Sequence, residues 1–163
     1  KKSGKKPREV VKMKRMAVVM IMLLMGIVSG AWAELKLGIN YPGIQIGYLS
    51  GNGKIALDVR GEKGNDIWTI GPRISFYSSE WEKGIIPFFA IEGDYISFKG
   101  SVSEGSGFAF QPMVGIERIS NIGINIGIEI TAGGAYLSLK DKSTGFKESG
   151  IEPVIGMGLN LYF

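Results

Sequence analysis

Between residues 34 and 163 the side chains alternate, position by position, between bulky-apolar and small-or-polar. From Ile122 to Ile130 every even position is isoleucine, and Gly123, Asn125, Gly127 and Glu129 lie between them. The final segment repeats the pattern. Ile151, Pro153, Ile155, Met157, Leu159, Leu161 and Phe163 alternate with Glu152, Val154, Gly156, Gly158, Asn160 and Tyr162. A helix would scatter either set around its circumference, whereas a strand puts it on one face. No segment after residue 33 carries a helical period. The alternation predicts an all-β domain of eight strands, near 35–41, 44–50, 54–61, 66–77, 85–98, 107–118, 121–138 and 149–163. Pro42-Gly43 is either a turn between the first two strands or a kink in one long strand. Gly133-Gly134 is expected to form a bulge that shifts the phase of the seventh strand.

Side-chain volume decides which face points out. One face carries Ile, Leu, Phe and Trp; the other is mostly Gly, Ala, Ser, Thr and Asn with a few charges. An eight-stranded barrel has an interior just wide enough to be filled by side chains, too narrow for all of the bulky face. The small and charged residues therefore belong inside. An exterior this apolar would aggregate in water; in a bilayer it is what the solvent requires, and closure satisfies every backbone group. Of the 25 glycines, 22 fall after residue 33, where they give lumen clearance. Outward aromatics fall near strand ends. Tyr41, Trp68, Tyr95, Phe108 and Tyr136 lie at one end, Tyr48, Phe76 and Phe163 at the other, as two interfacial girdles. The breaks at 50–53, 78–84 and 118–121 read as short turns, and those at 61–66, 99–107 and 140–150 as longer hydrophilic loops. Pro72, Pro112 and Pro153 interrupt the outward faces of three strands.

Charge separates a leader from this domain. Residues 1–33 hold eight of the 19 Lys/Arg and one of the 15 acids, a balance of +7, which leaves −3 on residues 34–163. The overall charge of +4 therefore belongs to the leader, and nucleic-acid binding loses its support. A basic stretch to Arg15, an apolar run over 16–28 and the small residues Ala31 and Ala33 have the layout of a secretory signal peptide cleaved before Glu34. Met13 or Met16 would serve as the start of such a leader. An apolar run of this length is short of the ~20 residues of a membrane-spanning helix, which disfavours the alternative of an uncleaved anchor. The domain division is thus 1–33 as extension and signal peptide and 34–163 as barrel.

The segment Gly156-Met157-Gly158-Leu159-Asn160-Leu161-Tyr162-Phe163 resembles the C-terminal signature of bacterial outer-membrane β-barrels, with a final Phe and apolar residues at alternate positions before it. Residues 34–163 are similar in architecture to the small eight-stranded barrels of the OmpX and OmpA membrane-domain type. The resemblance implies outer-membrane localisation in a Gram-negative-type envelope. It also implies recognition by the barrel-assembly machinery, with Gly156, Leu159, Leu161 and Phe163 as the assembly signal. The partners implied are the lipid bilayer and that machinery, with a monomeric, porin-like barrel and no nucleic acid.

Candidate chemistry lies in the lumen. Lys36, Asp58, Arg60, Arg73, Glu92, Asp94, Glu117, Glu129 and Glu152 all fall on the inward face. They could form a proton or ion path, but a packed ion-pair network is favoured, because small barrels fill their lumens and unpaired buried charge is costly. Arg73, and after it Arg60, is expected to be the hub, since five donors can bridge several carboxylates. With neither histidine nor cysteine, the chain offers no Ser/His or thiol catalysis and no His/Cys metal site. No enzyme activity, cofactor or metal is expected. The loop Lys140-Asp141-Lys142-Ser143-Thr144 is charged enough to touch headgroups or a partner, though an ordinary solvated loop accounts for it too. Three functions remain: a structural or surface-interaction barrel, a narrow channel for ions or small solutes, and a soluble lipocalin-like binder. The last would need an apolar interior and a polar exterior, the reverse of the pattern found.

Overall fold

The computed structural model describes residues 34–41, 43–50, 53–78, 84–101 and 103–163. Every regular element among them is a strand: β1 (Glu34–Tyr41), β2 (Gly43–Leu49), β3 (Ile55–Lys63), β4 (Ile67–Tyr77), β5 (Ile85–Lys99), β6 (Glu104–Asn121), β7 (Asn125–Asp141) and β8 (Lys147–Tyr162). Each strand pairs antiparallel with the next, and β8 returns to β1, closing a barrel. The closure reaches the last residue. Leu35 and Phe163 exchange two backbone hydrogen bonds of 3.0 Å each. β1 and β2 pair antiparallel up to Asn40 with Gly43, so the chain reverses between Tyr41 and Gly43 and does not run on as one kinked strand.

The pleat sorts the side chains as the volume argument requires. Ile39 is 69% exposed and Ile155 80%, while Lys36 is 0% and Arg73 1%. The molecule is inside-out relative to a water-soluble barrel, with charge within and aliphatic bulk without. The interior is not uniformly small, however. Leu49, Tyr77, Ile86, Phe88, Met113 and Tyr162 are inward and form the buried apolar cluster. All but Met113, which lies midway along β6 and also lines the upper cavity, sit where the strands join through residues 50–54, 78–84 and 122–124, here called the closed end. The β1–β2, β3–β4, β5–β6 and β7–β8 connections define the open end.

Register shows how the strands are staggered. Stepping from partner to partner from Asn40 through Gly43, Glu62, Thr69, Ile96, Gly107 and Leu139 leads to Glu148. Asn40 itself pairs with Gly158, so one circuit climbs ten residues along β8. With ~3.3 Å per residue and a strand tilt of ~40°, each strand-to-strand step rises about 3 Å towards the open end. On that scale Trp68, Tyr95, Phe108, Tyr136 and Ile151 lie within about 4 Å of one level. Trp68 and Tyr95 stack at 5.5 Å, and Tyr95 and Phe108 at 5.6 Å. The β1–β2 hairpin stops about 8 Å below this girdle. The wall is therefore low at β1–β2 and high at β5–β8, whose strands have 15, 18, 17 and 16 residues against 8 and 7 for β1 and β2.

Three local expectations are corrected. Ile122 and Ile124 belong to the β6–β7 turn, where Gly123 has a φ of 97° and Asn121 Oδ1 accepts the Gly123 amide; only Ile126, Ile128 and Ile130 continue the outward stripe. Alternating isoleucines cannot reveal a turn that interrupts them without changing parity. Gly133-Gly134 forms no bulge: β7 pairs with β8 in one unbroken register from Asn125 to Lys140. Polar sequence at 104–107 and 147–150 extends β6 and β8 instead of forming long loops, so connections at the open end are no longer than those at the closed end. The prolines cost little register. The β4–β5 ladder skips the two steps at Gly71 and Pro72 and the β6–β7 ladder the two at Gln111 and Pro112, and each resumes in phase.

Candidate functional site

The inward residues of the barrel divide into a dry lower network and an open upper cup. In the lower network Lys36 Nζ lies 3.2 Å from Asp58 and 3.8 Å from Glu129. Arg73 donates to Glu129 at 2.9 Å and to Ser75 at 3.2 Å, and its guanidinium lies 5.3 Å from the centre of the Phe88 ring. Glu129 also accepts from Asn160 at 3.0 Å. Nearer the closed end, Glu117 accepts from the hydroxyls of Tyr77 at 2.7 Å and Tyr162 at 2.5 Å, and from Asn160 at 2.8 Å. The hubs are therefore the carboxylates Glu129 and Glu117, not Arg73 as expected. Asp58 faces Arg73 in the ladder yet pairs with Lys36, and Arg73 reaches across the lumen to β7. An interior this narrow brings strands two and three apart within reach of one long side chain.

Two glycines let this network form. Gln45 donates to Asn160 directly over Gly38, the ladder partner of both. A Cβ at Gly38 would collide with both side chains. Gly127, the ladder partner of Asn160, leaves room for the Glu117 carboxylate, which a Cβ there would strike along with the Tyr162 ring.

The upper cup is a cavity of about 280 Å³ reaching the open end. Arg60 pairs with Glu92 at 2.6 Å, and Gln111 donates to Asp94. Glu152, expected in the network, is exposed at the rim and makes no ion pair with another described residue. Over the low β1–β2 wall the cup is bounded by Tyr41, Ile44, Ile155 and Gly156.

The lumen thus gathers eight of the nine expected charged residues into two clusters. Sequence reading named no role for Asn160, Tyr77, Tyr162, Gln45 and Gln111, although their inward parity marks them. Gly156 lines the cup, while Leu159, Leu161 and Phe163 extend the outward stripe of β8. Ala31 and Ala33 lie outside the described residues. Among the described residues no cluster of three or more Asp or Glu could hold a metal ion. Comparison with family models, curated proteins and solved structures found no match to this chain.

Proposed function

We propose that this chain is a non-enzymatic integral outer-membrane β-barrel, exported through a cleaved signal peptide, with a side-chain-filled lumen and a structural or surface-interaction role. The observation that carries the reading is the inverted burial. Lys36, Asp58, Arg73, Glu117 and Glu129 are buried while Ile39, Ile44, Ile128, Ile151 and Ile155 are exposed on a closed sheet. Such a surface is stable in hydrocarbon and not in water. The aromatic levels support it. Tyr48 and Phe76 fall about 20 Å and Phe163 about 28 Å below the upper girdle, on either side of the ~25 Å apolar band of outer-membrane barrels. The buried cluster of Leu49, Tyr77, Ile86, Phe88, Met113 and Tyr162 supports a lumen that does not conduct.

The test is refolding into phosphatidylcholine vesicles, followed by unheated electrophoresis and planar-bilayer recording. The expected result is vesicle-bound, heat-modifiable protein without sustained conductance. Protein that stays monomeric and soluble without detergent would overturn the membrane assignment. A large, persistent conductance would replace the closed barrel by the channel.

A further inference from the structure

The outward face of the β7–β8 hairpin changes character in steps towards the open end. Its successive cross-strand pairs are Ile130 with Met157, Ala132 with Ile155, Gly134 with Pro153, Tyr136 with Ile151, Ser138 with Ser149, and Lys140 with Lys147. All of these side chains share one face by parity. Tyr136 and Ile151 stand at the girdle level. The two serines lie about 5 Å above it and the two lysines about 10 Å above it. All four serine and lysine residues are exposed.

The last pair needs an explanation. Like charges directly opposite on one face of a sheet destabilise it, and Lys140 and Lys147 make no ion pair with another described residue. Glu148, next to Lys147, lies on the other face by parity, and two further acids nearby are engaged elsewhere. Glu104 pairs with Lys142 at 3.6 Å. The Asp141 carboxylate accepts the amides of Thr144 and Ser143 at 3.0 and 2.6 Å, which holds its carboxyl below the usual carboxylate range. Edge protection accounts for only part of the pair. Above Met157, β8 has no β1 partner, and charge on such an edge discourages pairing with another chain. A Lys–Glu pair would protect the edge equally well without the repulsion.

We propose that Lys140 and Lys147, with Ser138 and Ser149 beneath them, form a binding site for the phosphate of a lipid headgroup in the leaflet at the open end. Two ammonium groups on cross-strand neighbours can flank one phosphate, and the hydroxyls supply donors on its membrane side. Juxtamembrane lysines attract anionic lipid electrostatically. The proposal rests on the membrane reading, because the apolar steps of the same face set the depth at which the phosphate would lie.

The experiment uses refolded barrel in phosphatidylcholine bilayers containing trace spin-labelled phosphatidic acid or spin-labelled phosphatidylcholine. The motionally restricted fraction of each label reports its contact with protein. Wild type should favour phosphatidic acid at least 5-fold, and K140Q/K147Q should bring the ratio to about 1. The single variant K140E creates a Lys–Glu pair; it should lower the lipid ratio while raising the unfolding midpoint. No wild-type preference, or one unchanged in K140Q/K147Q, would overturn the proposal. Equal affinity of the detergent-solubilised barrel for inorganic phosphate would assign the site to a free anion and overturn the lipid source. Failure of wild type to insert into phosphatidylcholine at all would instead defeat the membrane reading itself.

Discussion

The lower and upper halves of the lumen are built by the same strands under the same alternation, yet they differ in kind. Below, Lys36 and Asp58 pair with fully buried side chains, and Glu117 and Glu129 each gather partners from several strands. Above, Arg60 and Glu92 remain 16% and 7% exposed and border an open cavity. The difference follows from stagger and from what fills each end. The closed end is capped by aromatic and aliphatic side chains, so its charges have no water to fall back on. At the open end the low β1–β2 wall admits solvent. An identical substitution is therefore costly below and mild above, because water can replace a lost partner only where it can enter.

The largest effect expected lies at the closed end, where Phe163 joins β8 to β1. Deleting Phe163, or introducing F163D, should abolish most heat-modifiable, membrane-inserted protein in cell-envelope fractions. Normal assembly of the deletion mutant would remove the terminal stripe from the account. Next, E129A leaves Lys36 and Arg73 without their shared carboxylate. It should cost about 3–5 kcal/mol in reversible denaturant unfolding from vesicles. A loss below about 1 kcal/mol would show that the lower lumen is wet and that the two halves do not differ. Y77F removes one hydroxyl bond to Glu117 at the closed end, and about 1.5–3 kcal/mol is expected for a buried bond to a charged acceptor. In the cup, R60A should cost only about 1 kcal/mol in the same assay, since Glu92 regains water. At the rim, E152Q should stay within ~0.5 kcal/mol of wild type. If R60A proves as damaging as E129A, the cup is closed in the membrane and the contrast fails.

Parity accounts for how much of the site could be read in advance. Which residues point inward was legible for all nine charged positions, because a strand's period of two leaves a side chain only two directions. Which inward residues meet was not. Partnership depends on the ten-residue stagger, which no local segment carries. Asp58 and Arg73 look paired along the ladder, yet Lys36 takes Asp58 and Arg73 crosses to Glu129. Glu117 and Glu129 looked like ordinary inward acids. They became hubs because Gly127 leaves room for the Glu117 carboxylate and Gly158 for the Glu129 side chain, so that Asn160 reaches both.

By itself the sequence determined the all-β class, the number of strands and the inversion of apolar and polar faces. Each of these follows from local alternation and side-chain volume. Only the tertiary structure decided the β6–β7 turn at Gly123, the continuous β7–β8 register and the split of the lumen into plug and cup. It also decided the placement of Lys140 beside Lys147 above the girdle. These depend on how far each strand slides against its neighbours before the ring closes. That slide minimises the free energy of the whole barrel, and no single strand specifies it.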